Sequence, residues 1–137
     1  MNRSDFKRLA QARLQDAKVL LDNGRYDAAY YLAGYVVECA LKACIAKQTQ
    51  RHEFPEKVRV LDSYTHDFAK LIKVANLTNE LKNEISVNTA FDKNWSLVES
   101  WSEEARYQTV TSDEAMELYS AIANRKDGVL SWLKKYW

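Results

Sequence analysis

The chain has 137 residues, of which three are glycine and one is proline, about 3% together against about 12% in an ordinary globular chain. Sandwiches, barrels and propellers need Gly, Pro, Asn and Asp at frequent turns, so a chain this poor in corners is built from long helices. Twenty Lys and Arg against nineteen Asp and Glu give a net charge of +1, without the basic surplus of a protein that grips long nucleic acid by its phosphates.

The length predicts one domain over 1–137, large enough to stand without disulfide or metal staples. The first 25 residues are polar and charged and lack the apolar core of a signal peptide. Residues 4–23 then predict an amphipathic helix. Ser4 is its expected N-cap, and Phe6, Leu9, Ala10, Leu14, Ala17, Leu20 and Leu21 form one apolar stripe. Asn23-Gly24 ends it, since either residue tolerates the left-handed conformation found at helix C-termini.

The second helix, 26–47, is different: from Ala28 to Ala46 only Glu38 and Lys42 are charged. A helix apolar nearly all round belongs at the centre of a bundle or in a membrane. Two charges near its middle cost about 3 kcal/mol each on insertion scales, so the central-helix reading is preferred and no membrane is expected. Cys39 and Cys44 lie five apart on it, too far along a helix for a bridge. Two unpaired thiols in an apolar run fit a reduced, cytoplasmic setting.

Residues 48–64 form a polar crossover around Pro55, with a turn or two of helix expected at 55–61. Thr65 is the expected cap of a short third helix carrying Phe68, Leu71, Ile72 and Val74. A fourth opens at Thr78 and carries Leu81, Ile85, Val87, Phe91 and Trp95 to Trp101, with a kink. Residues 106–110 read as a loop, and Thr111 with Glu114 offers a capping box. One last helix follows, with Ala115, Leu118, Tyr119, Ile122, Val129, Leu130, Leu133 and Tyr136 at helical spacing. Gly34 and Gly128 then fall inside helices, where glycine costs about 1 kcal/mol against alanine. On the central helix, Gly34 implies close approach by another backbone or a ligand. The whole is an all-α, antiparallel up-and-down bundle of four to five helices.

There is no glycine-rich phosphate loop, no Cys or His set at zinc spacing and no nucleophile elbow. No metal and no cofactor is expected. Glu38 and Lys42 stand at i,i+4 in the favourable order, but on so apolar a helix each charge needs a partner. They read as a satisfied structural pair or as a carboxylate facing a ligand. Tyr26, Tyr30, Tyr31 and Tyr35 crowd the start of the same helix, and buried hydroxyls need partners, so one or two of them border a cleft or an interface. Trp95, Trp101, Trp132 and Trp137 read as packing or rim residues, with base stacking the alternative. In Thr65-His66-Asp67, the histidine is a structural hydrogen-bonder or a functional imidazole.

Taken together these segments resemble the HEPN domain family. The match runs through "ARLQDAKVLLDNGRYDAAYYLAGYVVECALKACIAK" at 12–47, where Glu38, Leu41 and Lys42 fall on the family pattern. It continues through "THDFAKL" at 65–71, "ARY" at 105–107 and the apolar terminal helix. The resemblance implies a helical bundle, commonly dimeric, that acts beside a small nucleotidyltransferase in prokaryotic toxin–antitoxin or defence pairs. Some members are metal-independent ribonucleases with an Arg followed four to six residues later by His. Here Arg106 is followed by Tyr107 and no histidine. Arg59 and His66 have six residues between them, but in the crossover, where that motif is not expected, and read as a chance match.

The resemblance therefore implies the Arg-Tyr subgroup: a homodimeric, non-catalytic module binding a nucleotide, RNA or a nucleotidyltransferase partner. Glu38, Lys42, His66, Asp67, Arg106 and Tyr107 would line its cleft, with Arg106 as the anion contact. The alternatives are a diverged ribonuclease in which His66 serves Arg106, and a structural protein whose polar cluster only stabilises a dimer.

Overall fold

A computed structural model describes residues 1–51 and 63–137. The helical turn expected over 55–61, with Pro55 and the Arg59 of the chance spacing, lies outside the described residues. Every regular element among those described is helical.

The first helix, α1 (Arg3–Asp22), is capped by Asn2 and not by Ser4. Asn2 Oδ1 accepts from the Asp5 N–H at 2.9 Å, and the Asp5 carboxylate accepts from the Asn2 N–H at 3.0 Å. This reciprocal box satisfies two orphan donors at once, so it wins over the lone hydroxyl of Ser4. At the other end Gly24 takes φ +73°, as expected. Arg25 N–H then reaches Leu20 O at 2.8 Å and Gly24 N–H reaches Leu21 O at 3.2 Å, the paired bonds of a left-handed C-terminal cap. That tight turn sends α2 (Tyr26–Arg51) back along α1.

α2 is the axle of the bundle. Val36, Val37, Ala40, Leu41 and Ala43 are wholly buried on it. Tyr26–Thr49 is long and apolar enough to cross a membrane, yet 67% of its most apolar window is buried inside the protein. Its neighbours are α1, α3 (Phe68–Val74), a 3-10 turn (Glu103–Tyr107), α6 (Ser112–Ala123) and α7 (Val129–Leu133). Between them run α4 (Thr78–Val87) and α5 (Thr89–Glu99).

Four further boundaries differ from the sequence reading for local reasons. α3 is capped by Asp67, whose Oδ1 accepts from Lys70 N–H at 3.2 Å; Thr65 Oγ1 sits one step back and accepts from Asp67 N–H. The expected kink is a full break at Asn88, which ends α4 and caps α5 by accepting from Phe91 N–H at 3.0 Å. Asn88 also donates to Glu84 and Asp127. Arg106 and Tyr107 close the 3-10 turn and do not begin a loop. Finally, the terminal segment is two helices. Asn124 Oδ1 accepts from the N–H groups of Lys126 and Asp127, and Gly128 is the N-cap of α7, not a helix-interior residue. The Thr111–Glu114 box is present as expected.

Trp95, Trp101, Trp132 and Trp137 are all buried in one core with Phe68, Leu71, Phe91, Leu118, Ile122 and Leu133. Both thiols are enclosed. Burial pushes Cys39 up to about 11 and Cys44 up to about 12, and the Cys44 thiol faces Leu133 O at 3.7 Å. Since the thiolate is the reactive form, both should resist an aromatic disulfide reagent at pH 8. Both should then react within the dead time once denaturant is added. Rapid labelling of the native protein would show that the core opens there.

Candidate functional site

Glu38 lies at the middle of α2 and is the one polar or charged side chain in the buried class among the described residues. An unpaired carboxylate there would be very costly, and the chain supplies two partners. His66 Nδ1 donates to Glu38 Oε1, and Lys42 Nζ lies 3.5 Å from Glu38 Oε2. The helical spacing of 38 and 42 brings Lys42 onto the same face. His66 arrives from the turn just before α3, held there by the Asp67 cap.

The other ring nitrogen of His66, Nε2, is 3.2 Å from Glu103 Oε2 on the 3-10 turn. The imidazole thus stands between a carboxylate buried on α2 and one about half exposed on the turn. These groups form a chain, not a shared centre, and among the described residues no three His, Cys, Asp or Glu side chains converge to hold a metal ion.

Aromatic rings wall the chain in. Tyr35 meets His66 edge-on, with centroids 6.1 Å apart, and meets Trp101 at 5.8 Å and Tyr31 at 5.0 Å. Trp101 stacks on Phe68 at 5.3 Å and 11°. It lies flat over Gly34, where a Cβ would overlap its Cδ2, Cε2 and Nε1 atoms. The close approach that Gly34 permits is therefore by an indole ring, neither a backbone nor a ligand. The Tyr35 phenol is held well above the ordinary tyrosine range by its hydrogen bond with Tyr31, then by burial and the Glu38 carboxylate. Arg106 acts on it in the opposite sense, which places the guanidinium within electrostatic reach.

The six residues singled out from sequence separate into two groups. Glu38, Lys42 and His66 are in direct contact. Arg106 and Tyr107 stand together on the turn, with Arg106 Cζ 5.0 Å from the Tyr107 ring, and Tyr107 is 80% exposed. Among the described residues Arg106 makes no ion pair with an acidic side chain. Asp67 caps α3, and among the described residues its side chain makes no hydrogen bond or ion pair with either group. Sequence reasoning missed Glu103, which joins the groups by reaching His66 from the turn that carries Arg106. No local signal marks a partner so distant in sequence.

Among the described residues, cavities open on both sides of this run of contacts. One, of about 400 Å³, is polar, with His66, Asp67, Lys70, Glu99, Ser102 and Glu103 on its walls. The other, of about 430 Å³, lies between α1 and α2; Phe6, Leu9 and Leu32 line it, and Glu38 and Lys42 open into it. Both are of ligand size.

Comparison with known proteins gives one result. A family model described as HEPN domain matches residues 4–136. No curated protein and no solved structure matches the chain.

Proposed function

The chain belongs to the HEPN domain family, and from that premise we propose that it is a non-catalytic binding module, taking a nucleotide on the face that carries Arg106 and Tyr107. The observation that carries this reading is the state of Arg106. It is an exposed guanidinium without an acidic partner among the described residues, packed beside an exposed phenol ring. A guanidinium fork suits a phosphate, and the free face of Tyr107 suits a base.

The disposition of His66 supports binding over catalysis. A ribonuclease imidazole must reach a ribose hydroxyl or a phosphate oxygen. Here both ring nitrogens face carboxylates, which would repel the phosphodiester. In the cell the module would act as a homodimer beside a nucleotidyltransferase, in a two-component toxin–antitoxin or defence pair.

Titrating the purified protein with ATP, GTP and short RNAs tests the reading. Arg106→Ala is expected to weaken nucleotide binding by about 10- to 100-fold, the worth of one charge-assisted contact. Absence of binding, or binding indifferent to Arg106→Ala, would overturn it. So would RNA cleavage in EDTA that is abolished by His66→Ala.

A further inference from the structure

The contacts of His66 reach beyond stability. A carboxylate only accepts hydrogen bonds, so an imidazole between two of them holds both only with a proton on each nitrogen. We propose that His66 is a proton-operated latch that fixes the 3-10 turn, and with it Arg106 and Tyr107, against α2. The inference rests on the reading that Arg106 and Tyr107 form the binding face.

The two ends of the latch are unequal. Glu38 has a side chain 6% exposed, whereas Glu103 is 45% exposed. When the ring gives up one proton, the remaining N–H stays on Nδ1, because leaving Glu38 without its donor would strand a buried charge. Nε2 then presents a lone pair to the Glu103 carboxylate, and the outer contact opens. The inner one holds.

What moves is confined by its anchors. Upstream, Trp101 is stacked in the core. Downstream, Val110 N–H donates to Asp27 Oδ1 of α2 at 2.8 Å. Between them the turn keeps the buried Ala105, and its bonds include Ala105 N–H to Ser102 O and Gln108 N–H to Ala105 O. Residues 102–108, which include Arg106 and Tyr107, are the part that the latch controls.

Other charges face the ring from every side. Lys42 stands behind Glu38 on α2, and Arg106 is carried on the same turn as Glu103. Asp67 on its own loop, Lys70 on α3 and Glu99 at the end of α5 share the polar cavity with it. The sign follows from the proton count. The latch is closed while the ring is doubly protonated and the carboxylates are ionised, and it opens when rising pH takes one proton from the ring.

Amide hydrogen exchange at Ala105 and Gln108, corrected for intrinsic rates, is measured at about pH 5.5 and 8, a span over which histidine is the side chain that ordinarily changes charge. ATP titration is run at the same two values. Protection and affinity are each expected to be about two- to fivefold lower at the higher pH, the scale of one partly exposed ion pair. Glu103→Gln should flatten both, since an amide accepts from the charged ring and donates to the neutral one. The same variant removes any pH effect of ATP itself from the comparison. Protection that is equal at both pH values, or a dependence that survives in Glu103→Gln, would overturn the latch. PH-dependent protection without ATP binding at either pH would leave the latch standing and sink the nucleotide reading instead.

Discussion

Gly34→Ala is expected to lower the stability of the protein by about 3 kcal/mol, the upper range for adding one carbon to a packed interior. The added Cβ would overlap three atoms of the Trp101 indole. That ring cannot step aside: it is 4% exposed, stacked on Phe68, edged by Tyr35 and flanked by the tilted ring of Tyr31. The decisive measurement is a double-mutant cycle by urea denaturation. Trp101→Ala alone should cost about 3–5 kcal/mol through the cavity it leaves. In that background Gly34→Ala should be neutral or stabilising, because the clash is gone and alanine is the better helix former by about 1 kcal/mol. Strong non-additivity is the signature of two side chains in contact. Additive effects, or a Gly34→Ala protein as stable as the wild type, would show that the indole does not lie on this residue. The substitution also reaches the binding face, since Trp101 anchors the turn that carries Arg106.

The same glycine shows how far the sequence can be read. A glycine on a long apolar helix says that something approaches closely, because its cost there has no other return. It does not say what approaches, and the Trp101 that does is far away in sequence. The general rule holds at the other boundaries. The Asn23-Gly24 stop and the Thr111–Glu114 box are local chemistry and were legible. The break at Asn124–Gly128 was hidden because Val129, Leu130 and Leu133 continue the spacing of Leu118 and Ile122. Periodicity sees the phase of a stripe but not a turn that preserves it. Asn2 outcompeted Ser4 because Asp5 could answer it, a pairwise effect that single-residue preferences miss. At the site, Glu38 and Lys42 were readable as charges that an apolar helix must satisfy, and His66 as a polar group without an assigned partner. That one answers the other is a matter of tertiary packing. Glu103, ordinary on a polar turn, gave no sign.

Glu38→Ala is the second large effect to expect, about 3–5 kcal/mol of lost stability, because it breaks a buried ion pair and leaves the other charge behind. Lys42 would be left with a side chain only 19% exposed and no carboxylate, and His66 would lose its inner partner. The reverse removal is milder. In Lys42→Met, Glu38 keeps the His66 hydrogen bond, and the lost contact is a long one at 3.5 Å, so about 1 kcal/mol is expected. His66→Ala should fall between the two, since the ring is 40% exposed and water can reach part of the space it leaves. Replacing the pair together, Glu38→Leu with Lys42→Met, should be nearly neutral, because buried ion pairs are often matched by apolar groups of similar volume. Arg106→Ala, by contrast, should change stability by no more than about 0.5 kcal/mol, as an exposed side chain without an ion pair. Thermal and urea unfolding of the five proteins give the order directly. If Lys42→Met costs as much as Glu38→Ala, the ammonium and not the imidazole is the principal partner of the buried carboxylate. The latch would then lose its inner anchor. If instead the order holds and Arg106→Ala is silent in stability while it weakens nucleotide binding, the fold depends on the Glu38–His66 end of the chain and binding on the Arg106 end. Glu103 is the contact through which the first can act on the second.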